Sequence, residues 1–342
     1  MHNGISAPVY WEPGVKVVIL NDTSIDRHHG CTRVMRLLQE GLMRHGFTVS
    51  ARSPVRHDWR RDPAIRAAME DAALIVINGE GTLHHGKSAA AELLSVTDVA
   101  GDTPVALINT LYQDNPPDWS NWLNKMAYIS TRDSRSADEV EMCTGRRPFV
   151  VPDLSLSARV ATRPTIDKII YGDSIKEEVA RQLADLARSE QAPLVPSISA
   201  YKGMRKGDGF FARLRRRSMI ARHLRRVKAA NPTLELCSTE EAYANRVASA
   251  GLYVTGRYHG ACYAMAAGIP FVAVKSNSWK IEALIADVGL AQWRVTAAHG
   301  LSGRLARQDL AYRDHERAAL DTFLDAAAAS AEAMFSDLRA LV

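Results

Sequence analysis

Arg257 and His259 stand where an apolar run ends and a helix of small residues begins, in the sequence LYVTGRYHGACYAMAAGIP. The first turn of a helix offers unpaired N–H groups and the positive end of the helix dipole to an anion. Arg257 adds a planar fork that suits a carboxylate or a phosphate, and His259 can carry a proton near neutral pH. This corner therefore predicts anion binding with proton transfer. The alternative is that Arg257 ties down a loop and His259 is a core histidine.

A second polar segment, INGEGTLHHGK, directly follows the apolar run ALIVIN. Gly79, Gly81 and Gly86 allow the backbone to turn sharply and to approach a ligand closely. The pattern is neither GxGxxG nor a P-loop, so it does not support dinucleotide binding. The side chains that give this segment its chemistry are Glu80, Thr82, His84 and His85. The alternative is a polar strand-to-helix turn without a ligand.

A third segment, NDTSIDRHHGCTRV, follows the first apolar run, and its polar side chains could face the same cleft: Asn21, Asp22, His28 and His29. The two His–His pairs of the chain suggest a metal site. However, adjacent histidines point in different directions, and neither HExxH nor paired carboxylates accompany them. We therefore expect no metal.

Three further cations follow apolar runs. Arg132 lies in YISTRDSRSADEV, where Asp133 or Ser134 is a candidate N-cap of the next helix; a salt bridge to a neighbouring aspartate is its alternative role. Lys275 and Lys280 flank the polar turn after VAV. Either lysine could reach the same anion, although a surface position is common for lysine.

The elements that must position these residues alternate between strands and helices. Uninterrupted apolar runs predict parallel strands covered on both faces, at residues 15–20, 73–78, 104–109, 127–131, 149–152, 168–172, 193–199, 234–238, 252–256 and 270–274. We expect an α/β protein with two Rossmann-like domains, residues 1–158 and 165–310, and a C-terminal helix over 311–342 that packs back on the first domain. Ligands of such sheets bind at the carboxyl ends of the strands.

Composition sets the broad class of protein. A chain of 342 residues favours two domains. It contains no stretch of about 18–20 uncharged apolar residues, and its N-terminal residues do not resemble a signal peptide. The four cysteines are scattered, which is typical of a reduced, cytoplasmic protein.

A strongly basic segment begins at Lys202 and ends at Lys228, and Asp208 is its single acid. One interpretation is a solvated helix face; the other is an electropositive surface for anionic lipid or an anionic acceptor. No binding module and no row of aromatic residues accompany the charges, so we do not expect nucleic acid as a partner.

Taken together, GEGTLHHG, STRDSRS and TGRYHGACYAMAAGIPFVAVKSNSWKIEAL resemble the polysaccharide pyruvyltransferase family across residues 15 to 290. The resemblance implies a fold similar to GT-B glycosyltransferases. It also implies an enzyme that transfers the carbon skeleton of phosphoenolpyruvate to a sugar of a cell-surface polysaccharide, such as a capsule or exopolysaccharide, or to its lipid-linked precursor. The product is a cyclic ketal, and phosphate is released. The sequence departs from the family's pattern at two places. Tyr258 stands where an aliphatic residue is usual, and NGEG stands where GGG is common.

The resemblance implies that Arg132 and Arg257 bind the donor and that His259 is catalytic. From position alone, we expect Glu80, Asp22 or His85 to be the second catalytic group, with Glu80 and Asp22 preferred. We also expect Tyr258, Lys275 and Lys280 to contact the donor. Acceptor binding is assigned to Thr82, His84, His85, His28 and His29. The second domain is expected to hold the donor and the first the acceptor, with phosphoenolpyruvate as substrate and no cofactor. We expect a cytoplasmic protein with peripheral contact to the inner face of the membrane.

Two other functions fit the same residues. A metal-independent GT-B glycosyltransferase could use Arg257 and His259 to hold a nucleotide-activated acidic sugar of the sialic or ulosonic type. A glycan-binding scaffold of a surface-glycan assembly complex would use the same residues for recognition without catalysis.

Overall fold

The computed structural model describes residues 14–199, 210–307 and 309–342, and the architecture below refers to them. Ten strands form two sheets in which every pairing is parallel. The first sheet has the order β2-β1-β3-β4-β5-β6, with β1 Val15–Asp22, β2 Phe47–Pro54, β3 Leu74–Glu80, β4 Val105–Thr110, β5 Tyr128–Thr131 and β6 Phe149–Val150. The second has the order β10-β9-β8-β7, with β7 Ile170–Ser174, β8 Tyr253–Gly256, β9 Phe271–Val274 and β10 Val295–Thr296.

Helices connect the strands and cover both faces of each sheet. Their bounds are α1 His29–Arg44, α2 Pro63–Glu70, α3 Ser88–Leu94, α4 Ser120–Leu123, α5 Ser134–Thr144, α6 Glu177–Ser189, α7 Phe210–Ala230, α8 Glu240–Ala248, α9 Tyr258–Ala266, α10 Lys280–Val288, α11 Leu301–Leu305 and α12 Asp314–Ala340. The predicted α/β architecture with two Rossmann-like domains is confirmed.

Local sequence explains where the elements start and stop. All seven residues of β3 are buried, as expected for a strand between two helical layers. Asp133 caps α5 as predicted, because its Oδ1 accepts a hydrogen bond from the Ser136 backbone N–H at 2.8 Å. Gly145 ends the same helix at a φ of +70°, a conformation that glycine adopts without strain.

The strand predictions need four corrections. Strand β2 was not predicted because its buried and exposed positions largely alternate, as they do at the edge of a sheet. Strand β10 was not predicted either, because it has only two residues. Residues 193–199 and 234–238 are not strands; Leu194 makes isolated bridges to Tyr171 and Leu234. The segment PLVPSIS contains two prolines, which cannot donate to a sheet ladder.

Helix α12 packs on both domains. Its first half places Leu320, Leu324 and Ala327 in the core of the second domain. Its second half places Met334, Phe335 and Leu338, with Ala331, in a core beneath the first sheet. The prediction that the C-terminal helix returns to the first domain is confirmed.

In the described ranges, every helix is too short or too polar to cross a bilayer.

Candidate active site

A cavity of about 650 Å³ lies between the two sheets, at the carboxyl ends of their strands. Residues that follow β1, β3 and β5 form one wall, and residues that follow β7, β8 and β9 form the other. Its lining includes Asn21, Glu80, Arg132, Arg257, His259 and Lys280. The volume falls in the range of cavities that bind small molecules.

Arg132 follows β5 and is buried at the base of the cavity, with 3% of the residue exposed. One nitrogen, Nη1, donates to Asp153 Oδ2 at 3.3 Å. The guanidinium carbon lies 4.3 Å from the centre of the Tyr258 ring, which is a cation–π contact. Among the described residues, Nε and Nη2 have no hydrogen-bond partner. A buried cation that retains two unused donors is suited to bind an anion.

Arg257 directly follows β8 on the opposite wall and is held by Asp173. Its Nε donates to Asp173 Oδ2 at 2.9 Å, and Nη2 lies 2.9 Å from the same oxygen. Helix α9 begins at the next residue, and within the described residues no side chain caps its N-terminus. The guanidinium and the helix N-terminus therefore lie at the same corner of the cavity.

Lys280 is the first residue of α10 and brings a third cation to the cavity. Burial, followed by the positive charges of Arg132 and Arg257, lowers the pKa of its ammonium to about 7. Its Nζ donates to Asn277 Oδ1 at 3.2 Å. A bound anion beside Lys280 would therefore stabilise its charged form.

His259 lies in the first turn of α9, between Asp153 and α1. Its Nε2 is 3.7 Å from Asp153 Oδ2 and has no hydrogen-bond partner among the described residues. Burial alone would raise the pKa of Asp153, but its interactions with His259 and Arg132 hold that pKa well below its usual value.

Gly30 of α1 allows the close packing of that helix on the His259 ring. A Cβ at position 30 would lie 2.2 Å from His259 Cγ. The ring is therefore fixed by a backbone contact on one side and by Asp153 on another.

His28 caps α1 and connects it to the second domain. Its Nδ1 accepts from the Gly30 N–H at 3.2 Å, so the neutral ring carries its proton on Nε2 and donates to Ser197 Oγ at 3.0 Å. Ser197 Oγ donates to Asp173 Oδ1 at 2.8 Å. Burial, followed by the charge of His259, lowers the pKa of His28 well below its usual value. His28 therefore acts as a neutral link between α1 and the carboxylate that holds Arg257.

Glu80 reaches the cavity from the end of β3, where its φ is +39°. Its Oε1 accepts from Thr23 Oγ1 at 2.5 Å and from Asn78 Nδ2 at 3.2 Å. The Cys31 thiol lies 3.4 Å from Oε2, and burial and the Glu80 charge raise the pKa of that thiol. These contacts fix the carboxylate at the cavity wall in a left-handed conformation that is uncommon for glutamate.

Thr82 and His84 also line the cavity. Thr82 Oγ1 accepts from Asn21 Nδ2 at 3.1 Å. His84 Nε2 accepts a 2.6 Å hydrogen bond from Lys87 Nζ. Burial and the Lys87 charge lower the pKa of His84 to about 4, so this ring is neutral at pH 7.

Four predicted site residues do not line the cavity, and their assignments are corrected. Asp22 accepts from the Ser24 N–H and pairs with Arg52 at 3.3 Å. The ring of His29 stacks on Tyr243 in the second-domain core. His85 and Lys275 point outward, towards Asp114 and Glu282 respectively. In each His–His pair one ring faces the cavity and its neighbour turns away, because adjacent side chains diverge.

The donor atoms of His28, Cys31 and His259 lie within 4.8 Å of one another. Both ring nitrogens of His28 are already engaged, with Gly30 and Ser197. A metal at this place would have to break one of those hydrogen bonds, so we do not assign a metal to these residues.

Sequence reasoning missed the two aspartates that hold the site's cations and the lysine beside His84. Asp153 and Asp173 follow or end strands in VVPDL and YGDS, so the strand-end rule applied to the arginines points to both positions but not to the arginine that each contacts. Lys87 closes the glycine-rich segment. Its contact with His84 depends on a turn that the sequence does not specify.

The sequence profile of the polysaccharide pyruvyl transferase family matches residues 104–278, just over half of the chain. The chain belongs to the polysaccharide pyruvyl transferase family. It is therefore an enzyme, a transferase of polysaccharide biosynthesis. The matched range of this pyruvyl transferase family member contains Arg132, Asp153, Arg257 and His259. No curated protein matches the chain significantly.

Solved structures similar to this member of the family show the fold alone, because their sequences are distant. An α,α-trehalose-phosphate synthase (UDP-forming) from Burkholderia vietnamiensis is 11% identical, with 96% of this chain and 99% of that chain covered at a TM-score of 0.51. A UDP-GlcNAc 2-epimerase from Methanocaldococcus jannaschii is 9% identical, with 91% and 99% covered at a TM-score of 0.50. The predicted GT-B-like arrangement is confirmed.

Proposed function

We propose that this transferase uses phosphoenolpyruvate as its donor and forms a pyruvate ketal on a sugar of a surface polysaccharide or of its lipid-linked precursor. The observation that carries the proposal is Arg132, a buried guanidinium with two nitrogens that have no partner among the described residues. The family membership supports pyruvyl transfer, and this arginine supports an anionic donor.

The charge of phosphoenolpyruvate matches the cavity. Its carboxylate and phosphate are anions that guanidinium groups bind through two hydrogen bonds each. Arg132, Arg257 and Lys280 supply three cations, and the N-terminus of α9 supplies backbone N–H groups. A ligand with two anionic groups would use more than one of these positions at once.

His259 is our candidate proton donor for the methylene carbon of the donor. Protonation of that carbon develops positive charge at the carbon that bears the carboxylate, and a sugar hydroxyl adds there. Asp153 Oδ2 lies 3.7 Å from its Nε2 and fixes the position of the ring. Proton transfer of this kind typically contributes about 10²–10⁴-fold to a rate.

Glu80 is our candidate base for the attacking hydroxyl, because its carboxylate lines the same cavity. A second hydroxyl of the sugar then takes the place of phosphate, which leaves with the electron pair of its C–O bond. The methyl group of the ketal gains one proton and the released phosphate gains the other, so the two hydroxyl protons are accounted for.

We also propose that the acceptor enters beside Thr82, His84 and His28, which line the cavity towards the first domain. Placement in the cytoplasm is part of the same proposal, and the four free cysteines support a reducing compartment.

The test is ligand binding by Arg132→Lys, with Arg147→Lys as a matched control. Lysine keeps the positive charge but loses the planar fork, whereas Arg147 is a surface residue paired with Asp138 and Glu141. A ligand at a hundred times its dissociation constant adds about 2.7 kcal/mol to the free energy of unfolding. Thermal unfolding with phosphoenolpyruvate, CMP and UDP therefore distinguishes the donors.

We expect phosphoenolpyruvate alone to raise the melting temperature of the wild type and of Arg147→Lys, and its dissociation constant to increase at least about tenfold in Arg132→Lys. Unfolding without ligand checks that the variant is folded. Stabilisation by a nucleotide and none by phosphoenolpyruvate would overturn the proposal in favour of nucleotide-activated glycosyl transfer.

A further inference from the structure

We propose that the outer face of α7 binds the surface of an anionic membrane. This inference does not depend on the identity of the donor. It rests on the side chains that lie on the two sides of the helix Phe210–Ala230.

The inner side of α7 attaches the helix to the second domain. Ile220, Leu224 and Val227 follow one another at spacings of three or four residues, so they share one side of the helix, and each is half-buried. Val227 packs against the core that contains Leu183, Leu194 and Leu234. Exposed side chains described by the structure lie on the other side of the helix.

The outer side exposes apolar side chains. Leu214 is 57% exposed and Met219 is 40% exposed, and Phe211 on the same side is 82% exposed. At 3.6 residues per turn these three residues lie within an arc of about 140° on the side opposite Ile220 and Leu224. Large apolar side chains on a solvent-facing helix are expected where the helix contacts another apolar phase.

Arginines lie between these apolar side chains on the same arc. All four have exposed side chains: Arg215, Arg222, Arg225 and Arg226. In the sequence, no Asp or Glu occurs between Asp208 and Glu235. The positive charge of the outer side is therefore not balanced from within the helix.

The combination of exposed apolar and cationic side chains favours a membrane over other anionic partners. An interfacial helix inserts apolar side chains at the headgroup boundary while its cations meet anionic lipids. Nucleic acid would use the arginines alone, and an acidic protein surface would not require a strip of three apolar side chains. We infer that the helix binds the anionic leaflet peripherally.

The experiment is co-flotation of the full-length protein with vesicles of phosphatidylcholine, with and without 30 mol% phosphatidylglycerol, at about 50 and 300 mM salt. One variant replaces four arginines of the outer face by Ser: Arg215, Arg222, Arg225 and Arg226. A charge-matched control replaces four exposed arginines elsewhere: Arg61, Arg66, Arg163 and Arg181. A third variant, Leu214→Ser with Met219→Ser, tests the apolar contribution.

We expect the wild type to bind only the anionic vesicles, and less at high salt. The four-arginine variant should bind at least about tenfold more weakly, the control should match the wild type, and the Leu214/Met219 variant should bind more weakly and with greater salt sensitivity. Equal loss in the control, unchanged binding in the four-arginine variant, or binding to DNA but not to anionic vesicles would overturn the proposal. Unchanged melting temperatures verify that each variant is folded.

Discussion

Lys280 is a site residue whose charge changes with pH near neutrality. Burial and two neighbouring guanidinium groups lower the pKa of its ammonium to about 7, so the empty site loses this charge as pH rises through neutrality. A bound anion would favour the protonated form and raise the pKa again. Affinity for an anionic donor must then depend on pH.

The direction in which affinity for the donor changes with pH follows from the charge of Lys280. Above pH 7 the binding of phosphoenolpyruvate has to take up a proton at Lys280, so the dissociation constant should rise by up to about tenfold per pH unit between pH 7.5 and 9. The donor's own phosphate is already ionised in that window. Calorimetry on Lys280→Arg should show a dissociation constant that is nearly independent of pH, because arginine stays charged. In the control Lys125→Arg, at a surface position, the dissociation constant should depend on pH as in the wild type. The same dependence in Lys280→Arg would contradict proton uptake at Lys280.

Substitution of His259 should distinguish donor binding from turnover. His259→Gln keeps a polar side chain of similar size but cannot donate a proton from an imidazolium. We expect phosphate release from phosphoenolpyruvate, measured with the membrane glycans of the producing cells as acceptor, to fall about 10²–10⁴-fold. Donor affinity should change little. His299→Gln, at an exposed position, is the control; retained turnover in His259→Gln would remove His259 from the chemistry.

Sequence reasoning found the cations of the site but not the anions that hold them. Arg132, Arg257 and His259 were identified because strand ends meet at one edge of a parallel sheet. Asp153 and Asp173 also follow or end strands, but an acid beside an anion site has a meaning only once its distance to an arginine is known. Lys275 was assigned wrongly to the cavity because the direction of a side chain after a strand depends on the turn.

At the scale of elements, the packing of α1 on α9 positions His259, the proposed proton donor. Gly30 leaves no room for a side chain, since a Cβ there would lie 2.2 Å from His259 Cγ. The contact is thus a steric limit on where the His259 ring can be.

Gly30→Ala should therefore displace the His259 ring. We expect a loss of turnover approaching that of His259→Gln, with overpacking that costs about 1–3 kcal/mol of stability. Urea unfolding and phosphate release measure the two effects. Gly303→Ala is the matched control, because a Cβ at Gly303 would meet nothing within 4 Å. Full turnover in Gly30→Ala would show that the ring has room to move without consequence.

The central strands were predictable, whereas the edge strands β2 and β10 were not. β1, β3 and β4 are uninterrupted apolar runs because helices cover both of their faces. β2 pairs on one side only, and its polar residues reach solvent, so it lacks that signal. Leu194 lies in an apolar run, but the prolines around it limit its pairing to bridges.

At the scale of the whole molecule, α12 ties the two domains together. Phe335 is 2% exposed in the core beneath the first sheet, although the helix begins on the second domain. Phe335→Ala should lower the free energy of unfolding by about 3–5 kcal/mol, measured by urea unfolding. Met142→Ala, at a side chain that is 78% exposed, should cost little. A loss below about 1 kcal/mol in Phe335→Ala would mean that the first domain does not depend on α12.

Helix α1 belongs to the first domain by position in the chain, yet it is bound to both domains. Buried Arg33 donates to the carbonyls of Ser155 and Ala158 and pairs with Glu240 of α8, and Tyr263 of α9 donates to the same glutamate at 2.8 Å. For protein engineering, this means that the two halves are not independent modules. A chimera that exchanges second domains between relatives must carry the matching surface of α1 with it. A junction placed only in the linker after β6 would leave Arg33 buried opposite a foreign partner.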